Sequence, residues 1–128
     1  MNDNNLIYKD LSYEITGILF AIHNELGRYK NEKQYADKFE QILKGREIKY
    51  LREINLPPSF QGEKKYRNKI DFIIEDKIII DFKAKTIITK EDYFQTQRYL
   101  TSYKKKLGII VNFRQKYLKP KRIINSEI

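Results

Sequence analysis

The sequence has no cysteine and only one histidine, and it has no long apolar run. Without cysteine, disulfides and thiolate metal sites are excluded. The single histidine, His23, follows Ile22 in a helical pattern, and we interpret it as a packing residue rather than a base. No apolar stretch approaches the ~20 residues needed to cross a bilayer, so we expect no membrane contact. Residues 1–5 lack a basic segment followed by an apolar one, so we expect no secretory signal and a cytoplasmic protein.

Acidic residues are in the minority, with 17 Asp and Glu against 26 Lys and Arg, which gives a formal charge of +9. Such an excess favours a polyanionic partner through counterion release and electrostatic steering. A general bias toward lysine in the composition is the alternative explanation. The 128 residues, 41% of them hydrophobic, predict one globular domain over residues 1–128.

Two helices are predicted at the start of the chain. Apolar residues recur at helical spacing over residues 11–26, and Gly27 follows as a stop signal. The second helix is predicted over residues 31–44, with Asn31 as the N-cap, Gln34 three residues later and Gly45 at its end.

The rest of the chain alternates strands with one helix. Residues 78–80 form a continuous apolar run, which predicts a central strand covered on both faces. We predict strands at residues 48–56, 69–75, 78–85 and 107–113, and an edge strand at 122–124. Thr89, with Asp92 three residues later, marks the start of a predicted helix at 89–105, whose inward face includes Tyr93, Gln97, Leu100 and Lys104. This order predicts an α/β sandwich with a mixed sheet.

Two acidic residues and a lysine are placed to meet on the middle strands. A hairpin folded about Asp76 puts Asp71 opposite Asp81, where like charges repel. Lys83 follows Asp81 by two residues and therefore points to the same face, while Phe82 points to the other. Two carboxylates and one amine leave a net negative charge in a low-dielectric place. These hard oxygen ligands favour Mg²⁺ or Mn²⁺, although a structural ion-pair cluster remains the alternative.

Two further groups of residues are weaker candidates. Glu32 shares the apolar stripe of the second helix, so it could point inward, or it could be a solvated acid favoured by the helix dipole. Gln95 and Tyr99 share a helix face, as surface decoration or as part of a site. The candidate nucleic-acid contacts are basic residues in clusters with interleaved tyrosines, which a solvated surface also explains: Lys64, Lys65, Arg67, Lys104, Lys105 and Arg114.

Taken together, these motifs resemble the PD-(D/E)XK nuclease superfamily, in particular its small GxxExxY group. The likeness covers nearly the whole chain and is carried by residues 23–27, 32–35, 71, 81–84, 95–100 and 107–113. Two positions depart from the group's pattern. Tyr29 stands where the naming motif has its first glycine, and Asp81 stands where the group usually has glutamate.

The resemblance implies a restriction-endonuclease-like α-β-β-β-α-β core, with a mixed central sheet flanked by helices and an extra N-terminal helix. It implies metal ligation by Glu32, Asp71, Asp81 and the carbonyl of Phe82, with Lys83 beside the attacking water. It also implies that Gln95 and Tyr99 form a helix motif of related nucleases, and from it we expect Gln95 to take part in catalysis and Tyr99 to contact nucleic acid. We therefore expect a Mg²⁺-dependent nuclease acting on DNA, in a homo-oligomer or a larger assembly. The alternative is a catalytically inactive module on the same fold that binds nucleic acid or protein.

Overall fold

The computed structural model describes residues 7–64 and 68–128, which form three helices and one sheet. The elements are α1 Lys9–Leu26, α2 Glu32–Gly45, β1 Tyr50–Asn55, β2 Lys69–Ile74, β3 Ile78–Lys83, α3 Lys90–Tyr103, β4 Leu107–Asn112 and β5 Lys121–Ile124. Every element predicted from the sequence is present. Across these described segments, no helix is long and apolar enough to cross a membrane.

Reciprocal side-chain and backbone hydrogen bonds fix where α2 and α3 begin. The Asn31 side chain accepts from the backbone N–H of Gln34, whose own side chain accepts from the Asn31 N–H. Thr89 and Asp92 form the same reciprocal pair at the start of α3. Both capping boxes confirm the helix starts that the sequence predicts.

The strands lie in the order β1-β2-β3-β4-β5, so β3 is central, as its apolar run predicts. β3 runs antiparallel to β2 and parallel to β4, with α3 making the crossover between the two parallel strands. The hairpin register pairs Phe72 with Ile80 and Ile74 with Ile78. This is the register expected for a turn centred on Asp76, and the mixed sheet is confirmed.

Helices cover both faces of the sheet. On one face, α1 and α2 pack against Phe72, Phe82 and Val111 in the larger core. On the other face, α3 packs against Ile70, Ile79 and Ile110 in the smaller core. A buried central strand needs this cover on both sides, because neither of its faces can be left to water.

The inward face of α3 differs from the prediction. The buried residues of α3 are Asp92, Thr96, Tyr99 and Leu100, whereas the periodicity favoured Tyr93, Gln97, Leu100 and Lys104. Consecutive helical positions are 100° apart, so two neighbouring faces of a helix differ by a single residue position. The periodicity of apolar residues selects the wrong face when a polar residue such as Thr96 is buried. Tyr99 is therefore a core residue, 2% exposed.

Gly108 of β4 lies where Thr96 and Leu100 of α3 pack directly against the sheet. A Cβ atom at this position would lie 2.9 Å from Cγ2 of Thr96, so Gly108→Ala should force α3 away from β4. We expect a loss of about 1–3 kcal/mol in the free energy of unfolding, measured by urea denaturation. Gly17→Ala is the matched control, because this position within α1 has nothing within 4 Å. The free energy of unfolding of Gly17→Ala should rise by about 0.5–1 kcal/mol, because alanine has the higher helix propensity. Equal effects of the two substitutions would contradict the packing argument.

Candidate active site

Two aspartates on neighbouring strands form the centre of the site. Asp71 lies in β2 and Asp81 in β3, one position beyond the Phe72–Ile80 pair. Their carboxyl groups are close enough for a protonated Asp71 to hydrogen bond to Asp81. Oδ2 of Asp71 also accepts a hydrogen bond from the backbone N–H of Phe82 at 2.7 Å. The structure thus brings together the two carboxylates that the sequence places opposite one another.

The electrostatics of this pair are unfavourable when both acids are ionised. Burial, and next the negative charge of Asp81, raise the pKa of Asp71 to about 7. The N–H of Phe82 and the ammonium of Lys83 act in the opposite direction with smaller effect. Because the net shift is upward, burial and the charge of Asp81 together outweigh the favourable effects of the Phe82 N–H and Lys83.

Lys83 and α3 complete the inner part of the site. Nζ of Lys83 lies 3.4 Å from Oδ1 of Asp81 and donates a hydrogen bond to Oε1 of Gln95 at 3.0 Å. The hydroxyl of Thr96 donates to Oδ2 of Asp81 at 3.2 Å. Asp81 and Lys83 therefore share a face of β3, as strand alternation predicts, and Gln95 joins them. Thr96 was missed, because a threonine on a helix carries no distinctive sequence signal.

An irregularity in β1 and β2 surrounds Asp71. Ile70 and Phe72 would share a face in a regular strand, yet Ile70 packs with α3 and Phe72 packs with α1 and α2. On β1, Arg52 pairs with Phe72 and Ile54 with Ile70, while Glu53 between them has a left-handed φ of 56°. In both strands the alternation of side chains between the two faces of the sheet is interrupted at this level. The sequence does not signal this feature.

Glu32 lies at the rim of the site. It is the first residue of α2 and receives a hydrogen bond from the backbone N–H of Ala84, just after β3. Burial raises its pKa, the positive charge of Lys83 opposes that shift, and the negative charge of Asp81 adds to it. Glu32, Glu53 and Asp71 line a cavity of about 210 Å³. Even so, within residues 7–64 and 68–128 no three His, Asp or Glu side chains are grouped closely enough to hold a metal ion.

Polar residues at the ends of β3 and β4 fix the backbone beside the site. The side chain of Asn112 accepts from the N–H of Lys85 and donates to its carbonyl, at 3.1 and 2.7 Å. Nζ of Lys85 pairs with Asp92 at 2.7 Å. These residues were not predicted from the sequence. One feature of the sequence could have predicted them: Lys85 and Asn112 lie at the carboxyl ends of two parallel strands, and such ends meet at the same edge of a sheet.

The candidate nucleic-acid contacts are dispersed. Lys105 pairs with Asp76 at 2.8 Å, beside the start of β3, and Lys104 caps α3 at the same end. Lys83 lies at the other end of β3, roughly 15–20 Å away for a six-residue strand. Arg114 lies on the Lys83 side, just after β4. The structure therefore separates Lys104 and Lys105 from the aspartate pair.

Four other contacts were predicted, and the structure describes two of them. Lys64 is exposed in the segment between β1 and β2. Lys65 and Arg67 lie outside the described residues. Tyr99 was predicted to contact nucleic acid, but its ring is 2% exposed within the smaller core. A buried ring has no free face for a base, so a direct contact by Tyr99 is corrected to a packing role.

The order of elements, the mixed five-stranded sheet and the helices on both faces define a restriction-endonuclease-like α/β fold. Asp71, Asp81 and Lys83 lie on adjacent strands of this fold. A family model for the PD-(D/E)XK nuclease superfamily matches residues 9–124. The chain belongs to this superfamily, which supports a nuclease-type function.

Solved structures agree on the fold. The protein SSO0001, known from a crystal structure, superposes with a TM-score of 0.54 at 22% sequence identity. The match covers 94% of this chain and 58% of SSO0001, so the chain spans little more than half of that protein's length. At this identity the likeness shows the fold alone. Among proteins with curated descriptions, none matches the chain.

The pKa of Asp71 predicts how stability depends on pH in the absence of metal. A folded-state pKa near 7 lies above the ordinary value of 3.8. The resulting stabilisation is present at low pH and is lost as the pH rises from about 4 through 7. The side chain of Asp71→Asn cannot ionise. Relative to wild type, its free energy of unfolding should therefore rise by roughly 2–4 kcal/mol between pH 4 and pH 8.

The measurement is urea denaturation across this pH range in the presence of a chelator. Asp76→Asn is the control, because Asp76 is exposed in the β2–β3 turn and its pKa is lowered by Lys105. Above pH 5, the free energy of unfolding of Asp76→Asn should change with pH in the same way as that of wild type. Parallel profiles for wild type and Asp71→Asn would show that Asp71 does not titrate as described.

Proposed function

We propose that the protein is a Mg²⁺- or Mn²⁺-dependent nuclease of the GxxExxY group that hydrolyses phosphodiester bonds in DNA. We further propose that residues 1–128 form one nuclease-like domain acting in the cytoplasm. The observation that supports this best is the pair of a half-buried Asp71 and a buried Asp81, with Lys83 at 3.4 Å from the carboxylate of Asp81. The net charge of +9 supports a polyanionic substrate.

Asp71 and Asp81 offer carboxylate oxygens of the kind that a hard divalent cation binds, and a third acidic donor is not grouped with them in the described part of the chain. Burial, and next the negative charge of Asp81, raise the pKa of Asp71, and a bound cation would offset both effects. Oxygen donors suit Mg²⁺ or Mn²⁺. Asp71, Asp81 and the main-chain carbonyl of Phe82 would hold the ion, with Glu32 as a further donor from the rim. A bound ion of this kind supplies Lewis acidity toward the phosphate and lowers the pKa of a bound water.

The chain's own polar groups would position the reactants. The ammonium of Lys83 would orient the attacking water or stabilise negative charge that develops on the phosphate. Gln95 accepts a hydrogen bond from that ammonium at 3.0 Å and so fixes its direction. The hydroxyl of Thr96 donates a hydrogen bond to the carboxylate of Asp81 at 3.2 Å and so fixes the direction of that carboxylate. Such fixed geometry matters because a displacement of 1 Å can reduce the rate by orders of magnitude.

A second candidate is a module that binds nucleic acid without cutting it. Two observations favour it: Lys83 already pairs with Asp81, and the described segments hold no three-residue acidic metal group. Such a module would bind DNA equally well with a chelator and would show no turnover with either metal. Assembly into a homo-oligomer or a larger complex is compatible with both candidates, because a small domain has little surface for recognising a substrate.

Lys83→Ala should reduce cleavage at least about a hundredfold, because it removes the cation at the reacting phosphate. The measurement compares wild type and variant on single- and double-stranded DNA in Mg²⁺, Mn²⁺ and chelator, with circular dichroism to confirm folding. Lys44→Ala is the matched control, since Lys44 is an exposed lysine in the last turn of α2. Cleavage that persists unchanged in Lys83→Ala would identify a contaminating nuclease and count against the proposal.

Metal binding should be detectable without any substrate. At about 100 times the dissociation constant, Mg²⁺ or Mn²⁺ should stabilise wild type by about 2.7 kcal/mol in thermal unfolding. Asp71→Asn and Asp81→Asn should each abolish most of that response. Asp76→Asn, an exposed acid at the other end of β3, should retain it. An equal metal response in all four proteins would place the ion elsewhere.

A further inference from the structure

An exposed tyrosine flanked by two arginines lies beside the candidate site. The Tyr29 side chain is 76% exposed, in the segment between α1 and α2. Cζ of Arg28 lies 5.0 Å from the centre of its ring, and Cζ of Arg114 lies 6.0 Å from it. We call Arg28, Tyr29 and Arg114 the aromatic platform. With both cations over the ring, the side chain is still largely exposed, which leaves surface for a planar ligand.

The backbone that carries this platform is fixed on several sides. The Tyr35 hydroxyl donates to the carbonyl of Gly27 and accepts from the N–H of Lys30. The ring of Tyr35 is buried and stacks on Phe113 at 4.1 Å. Nε of Arg114 donates to the carbonyl of Arg28 at 3.0 Å. The exposed ring is therefore presented by an ordered segment and loses little entropy when a ligand stacks on it.

Both sides of the platform are connected to the edge of the sheet that holds the aspartate pair. Tyr29 lies three residues before Glu32, at the rim of the site. Arg114 follows Phe113, whose N–H donates to the carbonyl of Lys83 at 2.9 Å. A strand of nucleic acid contacting the platform would therefore pass close to Lys83.

The charges of the platform suit a phosphate group. In the described part of the chain, neither Arg28 nor Arg114 forms an ion pair with a carboxylate. Nε of Arg28 is buried and lacks a hydrogen-bond partner among these residues. Two guanidinium groups beside one ring repel each other, and an anion between or next to them would relieve that repulsion.

We propose that the aromatic platform binds an unpaired nucleotide of a single strand, with the base stacked on Tyr29 and the adjoining phosphate held by Arg28 and Arg114. Stacking needs a free base face, and in a duplex the neighbouring base pairs cover both faces of each base. Ring stacking tolerates every base, so this contact selects strand state rather than sequence. The proposal rests on the proposed function, because it names the form of nucleic acid that this nuclease site would take.

Binding is tested in the presence of a chelator, so that cleavage does not enter the measurement. Fluorescence anisotropy compares a labelled single-stranded DNA, the same sequence as RNA, and the duplex. We expect wild type to bind single strands more tightly than duplex, and Tyr29→Ala to lose at least about fivefold in single-strand affinity. Tyr29→Phe keeps the ring and should stay within about twofold of wild type.

Tyr13→Ala is the matched control, because this α1 side chain is 81% exposed and has no cation over its ring among the described residues. It should bind like wild type. Unchanged single-strand affinity in Tyr29→Ala, or an equal loss on duplex, would overturn the proposal. A wild type that binds through Tyr29 but never cleaves would refute the nuclease function and leave the platform intact.

The phosphate contact has its own readout. Arg28→Gln should lower the slope of log affinity against log salt concentration by about 0.7 for a single strand. Arg46→Gln is the control, since Arg46 caps the far end of α2 and pairs with Glu14 at 3.4 Å. It should leave the slope unchanged. An unaltered slope in Arg28→Gln would show that Arg28 does not hold the phosphate.

Discussion

The arrangement of the site depends on one electrostatic constraint, the placement of two carboxylates at facing positions of a partly buried hairpin. Ionising Asp71 beside Asp81 is unfavourable, because burial, and next the negative charge of Asp81, raise the pKa of Asp71 above its ordinary value. The surrounding polar groups respond to this constraint. Lys83 pairs with one carboxylate, Thr96 donates to it, and the N–H of Phe82 donates to the other. A site where burial and a neighbouring carboxylate disfavour ionisation is a natural place for a cation or for the proton that replaces it.

The scaffold holds this unfavourable pair because the residues around it are closely packed. Phe82 lies between Asp81 and Lys83 in the chain. The centre of its ring is 5.3–5.4 Å from the ring centres of Phe39, Phe72 and Phe113. Arg52 links β1 to α2 through Asp37 and Glu40, both at 2.8 Å, and thereby holds the helix that carries Glu32. The apolar face of β3 thus provides the stability that its polar face lacks. This division between the two faces of one strand explains how the fold accommodates an unfavourable pair of acids.

Much of the fold follows from local patterns. The capping pairs Asn31–Gln34 and Thr89–Asp92, the apolar run of β3 and the turn at Asp76 each predict their element correctly, because each depends on neighbours within a few residues. The face of α3 was predicted wrongly, since Thr96 and Tyr99 are buried only because Asp81 and the smaller core lie against them. The dispersal of the lysines is likewise a matter of position. Lys104 and Arg114 are close in sequence, yet β4 carries the chain from one end of the sheet to the other between them.

The sequence by itself determined the order of elements, the hairpin register and hence the meeting of Asp71, Asp81 and Lys83, because strand alternation and a tight turn leave few arrangements. Only the tertiary structure decided that Gln95 and Thr96 reach this group from α3, that Glu32 lies at the rim, and that Glu53 takes a left-handed conformation opposite Asp71. It also decided that Arg114 meets Arg28 and Tyr29, residues far apart in the chain. The physical reason is that these contacts depend on how helices pack on a twisted sheet, and no local pattern encodes that packing.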